Sequence, residues 1–225
     1  VRDQVPVNGF VPAVAPGEVA AYLGDGYPAY KVKVGHGDDV GRVAAVREAV
    51  GPSVAIRIDA NGAWDVDEAV SRIARLAAYD LELVEQPVAS IDDLAAVRRR
   101  VGVPIAADEC VRGLDDARRL RALGAADVVV LKVQPLGGVR AALEVAEAAG
   151  VPAVVSSLYE TSVGLAAGLA LAAALPDLPY ACGLATAGLL AADVVNDPLL
   201  PEGGALAVRR PTVDPALVAR YGVRE

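Results

Sequence analysis

The stretch LELVEQPVASIDDLAAVRRRVGVPIAAD, residues 81–108, holds one complete turn of the fold. Residues 81–85 form a short, largely apolar run that ends on Glu85, and Gln86-Pro87 interrupts it. Residues 92–100 then read as a helix opening on acidic residues suited to its N-terminus. Gly102-Val103-Pro104 stops that helix with glycine and restarts with proline, and residues 103–108 form a second apolar run ending on Asp108. This is strand, helix, strand, with a carboxylate at the end of each strand.

The same unit repeats along the chain. Eight candidate strands lie at 5–11, 29–34, 53–59, 81–85, 103–108, 127–133, 153–157 and 180–183. Most are nearly continuous apolar runs, as expected of parallel strands covered on both faces. Helical patterns at 38–50, 65–78, 92–100, 115–123, 139–149 and 162–174 separate them, with a short helix predicted at 16–23. Eight repeats near 25 residues apart point to an α/β fold, a (β/α)8 TIM-like barrel. An open doubly wound sheet competes, but no Gly-rich dinucleotide turn follows the first strand. The reading divides the chain into a catalytic barrel at 1–188 and a Pro- and Gly-rich extension without strong period at 189–225, packed on the barrel.

In such a barrel, functional side chains stand at the C-terminal ends of the strands. Those ends carry Lys31 and Lys33, then Asp59, Glu85, Asp108, Lys132, and Ser156-Ser157. From Lys33 to Lys132 the successive gaps are 23 to 26 residues, so each charge holds nearly the same place in its own unit. Three clustered carboxylates are costly unless compensated. An oxygen-only donor set without Cys or His favours Mg2+, or Mn2+, over zinc. Open coordination positions would accept a substrate carboxylate, and the metal would stabilise charge formed when a proton leaves the adjacent carbon.

The lysine count sharpens this. Of 21 basic residues only Lys31, Lys33 and Lys132 are lysines, the other 18 being arginines. Arginine stays protonated, whereas lysine can serve as a base. Lys31 and Lys33 share one strand face, and their mutual repulsion together with the metal is expected to lower a lysine pKa towards neutrality. Lys132 is expected opposite them.

The motifs Lys31-Val-Lys33, Asp59-Ala-Asn61, Val84-Glu-Gln-Pro87, Ala107-Asp-Glu109 and Leu131-Lys-Val133 resemble the enolase superfamily, muconate-lactonizing subgroup. Residues 5–13, 132–138, 156–164 and 181–186 extend the likeness towards its o-succinylbenzoate synthase family of menaquinone biosynthesis, in actinobacterial form. The resemblance implies Asp59, Glu85 and Asp108 as metal ligands and Lys33 as the base that takes the α-proton and returns it to the departing hydroxyl. It implies a cationic Lys132 stabilising the enediolate, and Lys31 holding the substrate carboxylate or tuning Lys33. The implied reaction removes water from a succinyl-hydroxycyclohexadiene carboxylate to leave an aromatic ring. Superfamily members carry an N-terminal α+β capping domain. Here Val1 opens directly on the first barrel strand, so the expectation is a fragment or a barrel without its cap.

Weaker signals have two readings each. Gly137-Gly138 is a strand–helix turn or a seat for the substrate's succinyl arm, and Ser156 and Ser157 cap a turn or touch substrate. Asn61 supports Lys33 or a metal ligand, or only shapes its turn. His36 lies in a glycine loop, and Cys110 and Trp64 read as packing. Two further functions compete: an N-acylamino acid racemase or dipeptide epimerase, which would use two opposed lysines, and an inert barrel serving as a scaffold.

The 225 residues include 29 acidic and 21 basic ones, a net charge of -8, which argues against nucleic acid as the partner. A small-molecule carboxylate is the expected partner. Cys110 and Cys182 are too few for a disulfide framework, so the expected compartment is the cytoplasm. The apolar run 163–175 is too short to span a bilayer and reads as a buried helix. Oligomeric state is not legible in the sequence.

Overall fold

The structure, a computed structural model, describes residues 2–222. Seven strands form one parallel sheet in sequence order: β2 (Gly9–Val11), β3 (Ala29–Lys33), β4 (Ala55–Asp59), β5 (Leu81–Glu85), β6 (Ile105–Ala107), β7 (Val128–Lys132) and β8 (Ala153–Ser156). Helices α1 (Asp39–Val50), α2 (Val66–Leu76), α3 (Ile91–Arg98), α4 (Leu114–Leu123), α5 (Val139–Ala149) and α6 (Ser162–Ala174) alternate with them. A 3-10 helix, Pro16–Tyr22, takes the place of the short predicted helix.

The expected eighth strand at 180–183 contributes bridges rather than a ladder. Cys182 bridges Val7, and Gly183 bridges Ser156. Gly183 N donates to Val155 O at 2.8 Å and Cys182 N to Pro6 O at 2.8 Å, so the two edges of the sheet meet through this segment and the barrel closes. Pro179 has no N–H to extend the segment backwards, and a turn follows at Ala185. Gly183 also packs closely, because a Cβ there would stand 2.6 Å from Ser156 Oγ and displace that hydroxyl.

The first expected strand is likewise divided. Residues Gln4–Pro6 form β1, which pairs antiparallel with β9 (Ala205–Ala207), while only Gly9–Val11 joins the barrel. The extension beyond 188 therefore contains a strand, and it ends in a helix, α7 (Pro215–Tyr221). It is held to the barrel at the start of α6, where Ser162 Oγ donates to Asp193 at 2.6 Å and accepts from Leu199 N at 2.8 Å.

Local chemistry sets the helix boundaries. Asp38 and Asp65 accept from Gly41 N and Glu68 N at the starts of α1 and α2. The third helix begins earlier than expected because Ser90, not Asp92, caps it through Asp93 N. Helix α5 ends at Gly150 with φ of 65°, a left-handed stop that glycine adopts without strain.

Alternation along the strands sorts the residues into two faces. Val32, Ile56, Ile58, Val84, Ile105, Val129, Leu131 and Val155 are buried against the helices. Leu83, Ala106, Val128, Val130 and Val154 form a separate small cluster filling the barrel interior. The interior face continues upwards into Lys31, Lys33, Asp59, Glu85, Lys132 and Ser156, so the packed plug becomes the floor of the site.

Candidate active site

Strand register brings the predicted charges together. Lys33 stands beside Asp59, Asp59 beside Glu85, and Lys132 beside Ser156. Asp108 falls one residue beyond β6, where Gln86 Oε1 accepts from its backbone N–H at 2.7 Å. Gln86 is itself buried at a φ of 39°, and its Nε2 donates to Val88 O at 2.7 Å. Its amide is therefore locked from both ends, and it fixes the turn that carries Asp108.

The carboxylates of Asp59, Glu85 and Asp108 are all buried, and lysines meet them. Lys31 Nζ lies 2.9 Å from Glu85 Oε1 and 3.1 Å from Asp59 Oδ2. Lys33 Nζ lies 2.9 Å from the same Asp59 oxygen, and Lys132 bonds Asp108 Oδ2. Asn61, at a φ of 46°, donates its backbone N–H to Asp59 Oδ1 at 3.0 Å and its side-chain amide to Glu109 Oε1 at 2.6 Å. Lys33, at the end of β3, and Lys132, at the end of β7, are separated by β4, which ends on Asp59, β5, which ends on Glu85, and β6, which Asp108 directly follows.

Ion pairing with carboxylates dominates the electrostatics at Lys31. Burial pulls this ammonium down, but Glu85 and Asp59 outweigh it, and the group is held well above the ordinary lysine range. Glu85 is pushed up to about 8, first by burial and then by Asp59 and Asp108, with Lys31 pulling the other way. Asp59 is lowered: burial opposes, and Lys31 and Lys33 prevail. Burial and the neighbouring acids thus favour a proton on Glu85 despite the Lys31 ion pair.

Among the described residues no three acidic, His or Cys side chains converge closely enough to hold a metal ion as they stand, and a lysine ammonium pairs with one oxygen of each acid. The chemistry of the donor set nevertheless fits a hard divalent cation. It offers buried carboxylate oxygens only, and a raised Glu85 that further positive charge would bring down.

A cavity of about 570 Å3 opens over the cluster. Lys31, Lys33, Asp59, Asp108, Lys132 and Asn61 line its floor, and Ser156 and Ser157 its side. Ser157 Oγ is 3.1 Å from Gly183 O and 2.9 Å from Thr186 Oγ1. Gly137 and Gly138, with φ of 87° and 124°, lie in the turn before α5 and do not line this cavity. Neither do His36, Cys110 or Trp64. Glu109 and Thr186, to which the sequence reading gave no role, do line it. Adjacency to Asp108 was the available signal for Glu109, whereas Thr186 had none. The upper wall is apolar, with Tyr22, Leu158, Tyr159 and Leu189 exposed at its rim; Tyr159 is 72% exposed.

Comparison with known proteins agrees with this geometry. Over residues 16–212 the chain matches the family model described as enolase C-terminal domain-like. It is 61% identical to an o-succinylbenzoate synthase of Thermobifida fusca, over 99% of this chain and 72% of that protein. It is 50% identical to one of Mycobacterium tuberculosis, over 98% of this chain and 69% of that protein. A crystal structure of a dipeptide epimerase from Enterococcus faecalis superposes with a TM-score of 0.83 at 33% identity, covering 93% of this chain and 64% of the epimerase. The chain belongs to the enolase C-terminal domain-like family.

Proposed function

We propose that this chain catalyses the o-succinylbenzoate synthase reaction, loss of water from a succinyl-hydroxycyclohexadiene carboxylate to give o-succinylbenzoate. The observation that carries the reading is the placement of two lysines, Lys33 and Lys132, at separate strand ends over one buried acid cluster, in a chain 61% identical to a synthase of that name.

Lys33 Nζ, as the free amine, takes the proton from the carbon bearing the substrate carboxylate. The electron pair left behind enters the carboxylate as an enediolate and then expels the ring hydroxyl, whose C–O bond breaks. Lys33 returns the proton to that oxygen, so water leaves and the ring becomes aromatic. Lys132 remains an ammonium and offsets the enediolate charge. Lys31, held charged by Glu85 and Asp59, keeps the cluster together and presents positive charge to the substrate carboxylate. Asp59, Glu85 and Asp108 would hold Mg2+, or Mn2+, which when bound would supply Lewis-acid stabilisation of that carboxylate. Asn61, Ser156 and Ser157 border the substrate. The exposed apolar rim of Tyr22, Leu158, Tyr159 and Leu189 suits a capping segment laid over the mouth, which would exclude water from the enediolate. Among the described residues no helix is long and apolar enough to cross a membrane.

The decisive assay follows loss of diene absorbance with Mg2+ present, beside racemisation of N-succinyl amino acids. The second reading, racemisation or epimerisation, draws support from the epimerase likeness and the two separate lysines. Dehydration faster than racemisation supports the proposal; racemisation alone refutes it. Lys132→Arg divides the two further. A dehydration asks this residue for charge, so arginine should cost about tenfold, whereas a racemisation asks it for a proton and should lose about a hundredfold or more.

A further inference from the structure

Beyond Lys33 the chain leaves β3 for Val34-Gly35-His36-Gly37, a segment without regular structure in which both glycines have positive φ, 97° and 69°. A base at the end of a strand next to such a loop needs another anchor. Arg42, on α1 and only 2% exposed, provides one. Its Nη1 donates to the carbonyl of Lys33 itself at 3.0 Å, and its Nη2 to His36 O at 3.0 Å. Its Nε donates to Val14 O at 2.6 Å, in the loop between cavity-lining Phe10 and the 3-10 helix that ends at cavity-lining Tyr22.

The guanidinium is fixed in turn by Asp39 at 3.0 Å, a buried acid that also accepts from Gly35 N at 3.0 Å and His36 N at 3.3 Å. Arg72, reaching over from α2, holds the other Asp39 oxygen at 3.1 Å. One planar group with several fixed donors thus ties together the base-bearing peptide, the loop after it and the loop that joins cavity-lining Phe10 to the 3-10 helix ending at cavity-lining Tyr22. Lysine, with a single flexible ammonium, cannot reproduce this fork.

We propose that Arg42, braced by Asp39 and Arg72, is a positioning residue that fixes Lys33 relative to the substrate-binding wall. This rests on the reading of Lys33 as the base. Small displacements of a reacting group cost large factors in rate with little effect on binding, so the signature is kinetic.

The test uses the full chain with Mg2+ and the cyclohexadiene carboxylate, unlabelled and deuterated at the α-carbon. Arg42→Lys should lower kcat at least tenfold with KM within about twofold, and the primary isotope effect on kcat should rise as proton removal slows. Arg72→Leu, a change at a half-exposed side chain, should show the same signature at about twofold to fivefold. Arg118→Ala, exposed on α4, is the control. A folded Arg42→Lys with unchanged kcat, or with kcat lowered and an unchanged isotope effect, overturns the proposal. If Arg42→Lys does not fold, Arg72→Leu decides by the same criteria. A readout independent of turnover is amine acylation followed by mass spectrometry. Lys33 should react several-fold faster in the variants relative to Lys132, and an unchanged ratio overturns the proposal. If the wild type acylates as described but does not turn over the diene, the functional reading fails instead, and the acylation ratio still decides the positioning.

Discussion

The two ends of the barrel are made from the same strands, and both carry ion pairs, yet the pairs differ in kind. At the mouth every cation on the cavity floor is a lysine, and each lysine meets carboxylates. At the base the cations are arginines that divide their donors between acids and main chain. Arg57 pairs with Glu82 and donates to Ala181 O at 2.6 Å; Arg98 pairs with Asp127 and donates to Gly124 O at 2.9 Å. Arg2 donates to Leu175 O and Pro176 O behind α6. An arginine fork spread over carbonyls holds chain segments in place. A lysine on a carboxylate beside an open cavity keeps a movable proton within reach of a ligand. Burial alone does not separate these roles, since Arg57 and Asp59 are equally buried.

The largest expected effect tests that contrast directly. Lys33→Arg keeps the charge and the partner Asp59 but removes a group able to give up its proton. Turnover of the diene should fall by about a hundredfold to ten-thousandfold, with the circular dichroism spectrum unchanged. Activity near the wild-type level would show that the mouth uses its cations as the base does. Next, Asp108→Asn should weaken Mg2+ binding at least tenfold by calorimetric titration and remove turnover with it. Retained turnover in excess chelator would break the link between the acid cluster and the metal.

What was legible in the sequence follows the same division. The charged stations could be read because strand–helix units of nearly constant length return each strand end to one rim. Lys33, Asp59, Glu85 and Lys132 therefore converge without any knowledge of loop paths. Contacts between loops could not be read. Asn61 reaches Glu109, and Gln86 reaches the Asp108 backbone, only because their backbones take left-handed turns that periodicity does not encode. The cavity wall joins Tyr22, Tyr159 and Leu189 from distant segments for the same reason. The ion pairs of Lys31 with Glu85 and Asp59 could not be read either, because those carboxylates stand on neighbouring strands. The eighth strand was overestimated because apolar content at 180–183 says nothing of the proline that precedes it.

At the base the expected effects are on stability rather than rate. Arg57→Met removes the fork to Ala181 and its stacking on Tyr180, 5.5 Å from the guanidinium carbon to the ring centre. Glu82 is left without its cation but is partly exposed and can be solvated, so the cost should be about 1–3 kcal/mol. A lowered Tm with turnover per folded molecule within about threefold is expected. A specific loss of kcat at unchanged Tm would place Arg57 among the groups that serve the chemistry and erase the contrast.

The smallest effect is a dependence on pH at Asp127. Burial raises this carboxyl, but hydrogen bonds from Arg98 and Ile105 N outweigh it and hold it below the usual carboxylate range. A depressed folded pKa means the ionised form is favoured by folding. Its contribution is therefore complete above the unfolded value, near pH 4, and is lost as pH falls through the lower folded value. Because Asp127 is about a third exposed, solvent screens the pair, and the contribution should stay below about 1 kcal/mol. Urea unfolding of the wild type and Asp127→Asn should show a constant difference between pH 5 and 7 that narrows below pH 4. Turnover at pH 7 should be unaffected, since the residue stands at the far end of the strands from Lys33 and Lys132. A stability difference that widened on acidification would reverse the sign of this linkage. A loss of turnover at neutral pH would mean that ion pairs at the base reach the mouth after all.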